Sequence, residues 1–143
     1  MIKKSTYLLL VILFIACKSD DGVPDCSTVL CVAPYLNINL VDNSTDENLI
    51  LQDNITKENI LINNTSENQV EFSIINSNGF LYVEKQNPTD TLEIQINSEI
   101  VAMVSYKTTA PQTDECCDFG NLIDVEVNDK TFEVDDNTVT IYL

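Results

Sequence analysis

Five cysteines carry most of the chemistry that this 143-residue sequence could do. Cys17 closes an apolar run, Leu13-Phe14-Ile15-Ala16, and opens a polar one, Lys18-Ser19-Asp20-Asp21. The other four form two pairs far apart in the chain, Cys26/Cys31 and Cys116/Cys117. In an exported chain an even set of cysteines reads as a disulfide framework. Four thiolates could instead hold a structural zinc, but such sites space each pair by about two to four residues. Here one pair is adjacent and no histidine is present to help. A ring between Cys116 and Cys117 would strain the peptide joining them, because departures from disulfide geometry are costly. The expectation is therefore two bridges linking Cys26 and Cys31 to Cys116 and Cys117, with both crossed pairings open. Closing so long a loop is worth about 4 kcal/mol in the loop-entropy model.

Other reactive constellations are sparse. Without histidine, neither Ser-His nor Cys-His activation of a nucleophile can be built. Tryptophan is absent, and the three glycines, Gly22, Gly79 and Gly120, are too scattered for a phosphate-cradling loop. The carboxylate pairs Asp114-Glu115 and Asp135-Asp136 could do acid–base work, yet with 23 acidic residues such pairs arise from composition alone. The stretches Asp42 to Asn48 and Asp135 to Asn137 carry hard oxygen ligands that suit calcium, but neither has the spacing of a calcium loop. Turn chemistry explains them equally well. No catalytic residue, metal ligand or cofactor is assigned.

The N-terminus reads as an export signal. Lys3 and Lys4 precede an apolar run from Tyr7 to Ala16. Ten helical residues span about 15 Å, half a bilayer core, so the run is too short for a permanent span. A basic start, a short apolar core and a small residue before the cut describe a signal peptide over residues 1–16. Beyond it, five lysines face 23 acids and there is no arginine, a formal charge of −18. Such a surface repels nucleic acid, whose binding needs Lys and Arg on phosphates, and it favours a soluble, monomeric domain.

Leu13-Phe14-Ile15-Ala16-Cys17 resembles the lipobox of bacterial lipoproteins, with Phe14 where Leu is commoner. The resemblance implies alkylation of the Cys17 thiol by a diacylglycerol, cleavage before Cys17 and acylation of its new amine (palmitate-type chains). Two or more chains give stable anchoring. Lys18-Ser19-Asp20-Asp21 resembles the short acidic export signal of Bacteroidota surface lipoproteins, implying the outer leaflet of the outer membrane, with the periplasmic face as the alternative. "CSTVLC", "YLNINLVD" and "ECCDFGNLIDVEVNDKTFEV" together resemble small surface lipoproteins of the same group. That likeness implies an immunoglobulin-like or transthyretin-like β-sandwich and carries no activity. Asp90-Thr91-Leu92 resembles a three-residue O-glycosylation sequon of exported proteins there, which makes Thr91 a candidate acceptor. A turn followed by a strand accounts for the same residues.

The elements that must position these residues are strands. Period-two alternation puts Leu36, Ile38 and Leu40 on one face, then Val70, Phe72 and Ile74, then Leu92, Ile94 and Ile96. Apolar runs also mark residues 49–51, 60–62, 80–84, 100–107, 122–127, 131–134 and 139–143, with the 100–107 stretch apolar on both faces as a central strand would be. Ser77-Asn78-Gly79 reads as a turn and Asn128-Asp129 as a hairpin. A helical turn between Gln52 and Asn59 is possible. Short strands with turns every 8–12 residues suggest an all-β, antiparallel sandwich of 7–9 strands over residues 26–143, behind a lipidated tether at residues 17–25.

The resulting expectation is a non-enzymatic, lipid-anchored, surface-displayed envelope protein that binds a protein or glycan partner through loops or faces of the sandwich. The alternatives are a small carboxylate-dependent hydrolase and an accessory subunit of an envelope nutrient-capture complex.

Overall fold

The computed structural model describes residues 25–31, 34–111 and 116–143. Residues 1–16, expected to be a signal peptide, Cys17, the tetrapeptide Lys18 to Asp21 and the Asp114-Glu115 pair lie outside the described residues.

Alternating Leu, Ile and Val residues fold into strands as read, but among the described residues there are ten, where the sequence pattern predicts seven to nine. These are β1 (Tyr35–Asp42), β2 (Glu47–Asn48), β3 (Ile60–Asn63), β4 (Phe72–Ile75), β5 (Phe80–Glu84), β6 (Thr89–Ile96), β7 (Glu99–Thr108), β8 (Leu122–Val127), β9 (Thr131–Asp135) and β10 (Thr138–Tyr142). One sheet has the order β4-β5-β1-β10-β9, with β2 added beside β1. The other has the order β3-β6-β7-β8. The inner faces meet in a core of Leu36, Ile38, Leu40, Leu81, Val83, Ile94, Val104, Val139 and Ile141, each fully buried. Pairing is antiparallel except between β1 and β10, which run parallel with Ile38 opposite Val139 and Leu40 opposite Ile141.

Three local features depart from the strand pattern. The apolar run 49–51 is a helical turn, α1 (Leu49–Gln52), because the Asn48 side chain accepts from Leu51 N and caps it. Within the ambiguous stretch that follows, Lys57–Asn59 forms a 3-10 turn. Asn128-Asp129 makes a turn but not a hairpin. β8 pairs with β7 and β9 with β10, so the turn carries the chain from one sheet to the other. The tight hairpins lie elsewhere. Asn97 and Ser98 both have positive φ (51° and 70°) between β6 and β7, as a two-residue mirror-image turn requires. Asp136, with φ of 51°, opens the β9–β10 turn. β7 sits between β6 and β8, the central place its two-sided apolarity implies. A bulge in β8 sets Asp124 and Val125 opposite Tyr106, with Asp124 in the left-handed region (φ 47°) and 3.4 Å from the Lys107 ammonium. The sheet edges are β4 and β9 in one layer and β3 and β8 in the other.

Asn48 also donates to Asn39 Oδ1 at 2.8 Å, tying α1 to the outer face of β1. Gly79, at φ 73°, packs against this junction, and a Cβ there would overlap the Asn48 side chain. Gly79→Ala is therefore expected to cost about 2 kcal/mol, from left-handed strain plus displacement of the cap. Urea titration checks this. The midpoint should fall with the slope unchanged, and an unshifted midpoint would refute the steric account.

Candidate functional site

The four domain cysteines come together in two bridges, Cys26–Cys116 and Cys31–Cys117, with Cα atoms 5.3 and 5.4 Å apart. This resolves the two crossed pairings left open by the sequence. With all four sulfurs in disulfides, a four-cysteine zinc site is excluded. The Cys26–Thr28 3-10 turn leads in, its first turn capped by Asp25, whose carboxylate accepts from Ser27 N at 3.0 Å. At the far side, the ends of the β7–β8 connection are clamped. Thr109 N donates to Asn121 O and Asn121 N to Thr109 Oγ1, both at 2.9 Å. Gly120 holds φ of 76° where a Cβ would run into the Thr109 carbonyl.

The bridges press the N-terminal segment against one end of the sandwich, and a cleft of about 440 Å³ opens there. Tyr35, Lys85, Asp118, Phe119, Asn121 and Asn137 are among its walls. Lys85, one residue past the end of β5, continues the inward alternation of Leu81 and Val83 and is only 8% exposed. Its ammonium lies 3.5 Å from Asn137 Oδ1, while its backbone N–H donates to the Pro34 carbonyl at 2.8 Å. Burial pushes the Lys85 ammonium pKa down, and the Asp136 carboxylate works against that. Tyr35 stacks on Tyr82 with ring centroids 4.6 Å apart.

A second buried charge sits at the same end. Asp90 is 6% exposed on the inner face of β6. Its Oδ1 accepts from Thr91 N (2.8 Å), Thr65 Oγ1 (3.0 Å) and Thr65 N (3.3 Å), and its Oδ2 accepts from Asn87 Nδ2 (3.0 Å). Burial alone would raise its pKa, but these four donors outweigh it and hold the carboxyl below its ordinary value. Tyr106, opposite Asp90 on β7, is pushed up to about 12 by burial and then by the Asp90 charge. Its hydroxyl donates to the Asn87 carbonyl at 3.4 Å. Asp90 is thus a fixed acceptor that pins the 64–68 turn to β6. It is not a solvated turn residue.

Thr91 points the other way, onto the outer face of the second sheet, where its hydroxyl lies 2.8 Å from Ser105 Oγ. The acidic stretches are used locally. Asp42 Oδ1 accepts from Ser44 N (2.7 Å), Ser44 Oγ (2.6 Å) and Thr45 N (3.3 Å), the bonding of an Asx-turn. These bonds hold its carboxyl below its ordinary value. Asp135 to Asn137 form the end of β9 and its turn. Among the described residues no group of three or more His, Cys, Asp or Glu is placed to hold a metal ion.

Sequence reasoning missed Lys85 and Asp90, although a signal was there. Extending Leu81-Val83 by two residues, or running Ile96-Ile94-Leu92 back by two, lands on a charge at an inward position.

Two measurements follow from this geometry. Once one bridge closes the long loop, the other closes only a short ring. In the loop-entropy model, replacing either cysteine pair by serine should cost about 2–3 kcal/mol and replacing both about 7 kcal/mol. Equilibrium unfolding of the three variants checks this, and equal costs for single and double replacements would refute it. For Asp90, Asp90→Asn turns the Asn87 amide against a second donor and should cost about 2 kcal/mol. Because the native carboxyl lies below its ordinary value, that advantage of the wild type is full above about pH 4 and vanishes as pH falls through the native pKa. A difference between the two proteins that grows on acidification would overturn the assignment.

No family model matches the sequence, and no match is found among curated proteins or solved structures.

Proposed function

We propose that the protein is a lipid-anchored envelope lipoprotein that displays its β-sandwich as a non-enzymatic binding module. The observation that carries this reading is the double bridge. Two disulfides that pin the start of the domain to the β7–β8 connection belong to an oxidising compartment. The segment they pin begins after the apolar run, Cys17, the acidic tetrapeptide and four further residues, 22–25. An anchor at Cys17 leaves a tether of only eight residues, 18–25, before the pinned segment. The bridged end of the sandwich then sits nearest the membrane, and the opposite loops and both outer faces point away. The immunoglobulin-like or transthyretin-like topology belongs to the same reading, supported by the facing sheets and by a chain that crosses between them from β2 to β3, β3 to β4, β5 to β6 and β8 to β9.

Cell fractionation tests the anchor. Wild type should partition with membranes and its mature mass should carry acyl chains on Cys17, whereas Cys17→Ser should be soluble and unacylated. A membrane-bound, acylated variant would refute the assignment. Protease treatment of intact cells should remove the wild-type domain, and replacing Asp20 and Asp21 by alanine should protect it. Equal protection of both would put the wild type on the periplasmic face. Mass measurement of the peptide that spans Thr91 reads any attached sugar in the same samples.

A further inference from the structure

The cleft at the bridged end holds groups that neither the fold nor the pinning of the loop requires. The Lys85 ammonium carries three N–H donors. It is buried, and the acceptor it has is a neutral amide oxygen at the 3.5 Å limit. Leaving a charged donor so poorly satisfied away from water is costly. Asn137 presents its amide Nδ2 beside that contact, and Asn121 presents a whole amide. Neither group makes a side-chain hydrogen bond among the described residues beyond the one Asn137 accepts from Lys85. The apolar part of the cleft is aromatic. Phe119 is 38% exposed at its rim, and Tyr35 is held rigid because Tyr82 covers one of its ring faces.

Charge decides which ligand class fits. Asp118 lines the same cleft and the Asp136 charge partly offsets that of Lys85, so the cleft is not a net cationic site. A carboxylate or phosphate entering the cleft meets this local balance and a domain, residues 26–143, with four lysines and 20 acids, a formal charge of −16. What the walls offer is a mixture of donors and acceptors next to exposed ring faces. Each hydroxyl of a sugar both donates and accepts, and the C–H face of a pyranose is apolar enough to cover an aromatic ring. The volume, about 440 Å³, lies within the usual range of small-ligand sites.

We propose that this cleft is a subsite for a neutral saccharide, hydrogen-bonded by Lys85, Asn121 and Asn137 and covered by the rings of Tyr35 and Phe119. This names the ligand class for the binding module proposed above, and it rests on that reading only in giving the sandwich a binding role.

The test uses the full-length protein in detergent micelles, followed through its backbone amide resonances. It is titrated separately with glucose, galactose, mannose, N-acetylglucosamine, maltose and cellobiose, and with benzoate as an aromatic carboxylate. At least one of the sugars should shift the amides of Lys85, Gly120, Asn121 and Asn137 saturably. Lys85→Met keeps the buried stem but removes the donors, and should weaken that binding about tenfold or more. Phe119→Ala and Asn121→Ala lie on the exposed side, so they report on the site even if Lys85→Met fails to fold, and each should weaken binding several-fold at unchanged melting temperature. No saturable shift at these amides with any of the sugars would overturn the proposal. So would saturation by benzoate in place of the sugars, or sugar binding that the three variants leave unchanged. Membrane fractionation reads the anchor independently, so the two proposals can fail separately.

Discussion

Strand β1 lies at the centre of its sheet and needs a partner on each flank. β5, about 45 residues on, covers one side, but the other side stays open until β10, about a hundred residues after β1, arrives in parallel. Leu36, Ile38 and Leu40 become fully buried only when Val139 and Ile141 lie beside them. The polar rows on the outer face depend on the same register, with Asn37 Nδ2 donating to Thr138 Oγ1 and Asn39 Nδ2 to Thr140 Oγ1, each at 3.4 Å. Beyond Tyr142, where β10 stops, Leu143 N donates to Val41 O and Asn43 N to Leu143 O, so the ladder continues past the strand itself. Contacts of such sequence separation make folding slow and non-local. They also explain why the cysteine bridges, which bring residue 26 to residue 116, lie at the end of the sandwich where β1 begins.

The bridged end gathers what the hydrophobic core cannot absorb. Lys85 and Asp90 both continue an inward alternation past the last apolar residue, so their side chains are buried at the rim, not deep within the sandwich. They are handled separately. Asp90 receives four donors and becomes a rigid fixture, while Lys85 has one long contact with an amide and a carboxylate near by. A satisfied buried charge specifies structure; a poorly satisfied one marks a place where the molecule can gain by taking on a partner.

Much of this architecture was legible because the side-chain period of a strand is two and the core faces one way. β1, β3, β5, β7 and the second half of β6 announce themselves through Leu, Ile and Val at alternate positions, and the adjacency of Cys116 and Cys117 was enough to favour crossed bridges. What stayed hidden has local causes. The run Leu49-Ile50-Leu51 is apolar enough for a strand, and only the Asn48 cap makes it a helical turn. Asn128-Asp129 has hairpin chemistry, yet whether the flanking strands pair with one another depends on which sheet each joins. The first residues of β6, Thr89 to Thr91, are polar because Asp90 is an internal acceptor. The parallel β1–β10 pairing leaves no mark in either segment, since register between distant strands is written in neither alone. The cleft escaped notice because its walls come from four separate stretches, three gathered by the β5–β1–β10 pairing and the fourth, residues 117–121, held there by the bridges.

The acidic composition takes on a sharper meaning at the sheet edges. β8 and β9 are edge strands of opposite layers, and Asp124, Glu126, Glu133 and Asp135 are exposed along them. Unpaired edges invite a second molecule to add its own strand, and like charges keep it away. The guard is only as good as its ionisation. Near the isoelectric point, about pH 4.1, the net charge vanishes and the edges lose their mutual repulsion. Colloidal stability and conformational stability thus depend on different protons: near that pH the folded domain is driven towards edge-to-edge assembly while the network at Asp90, whose carboxyl is held below its ordinary value, still stands.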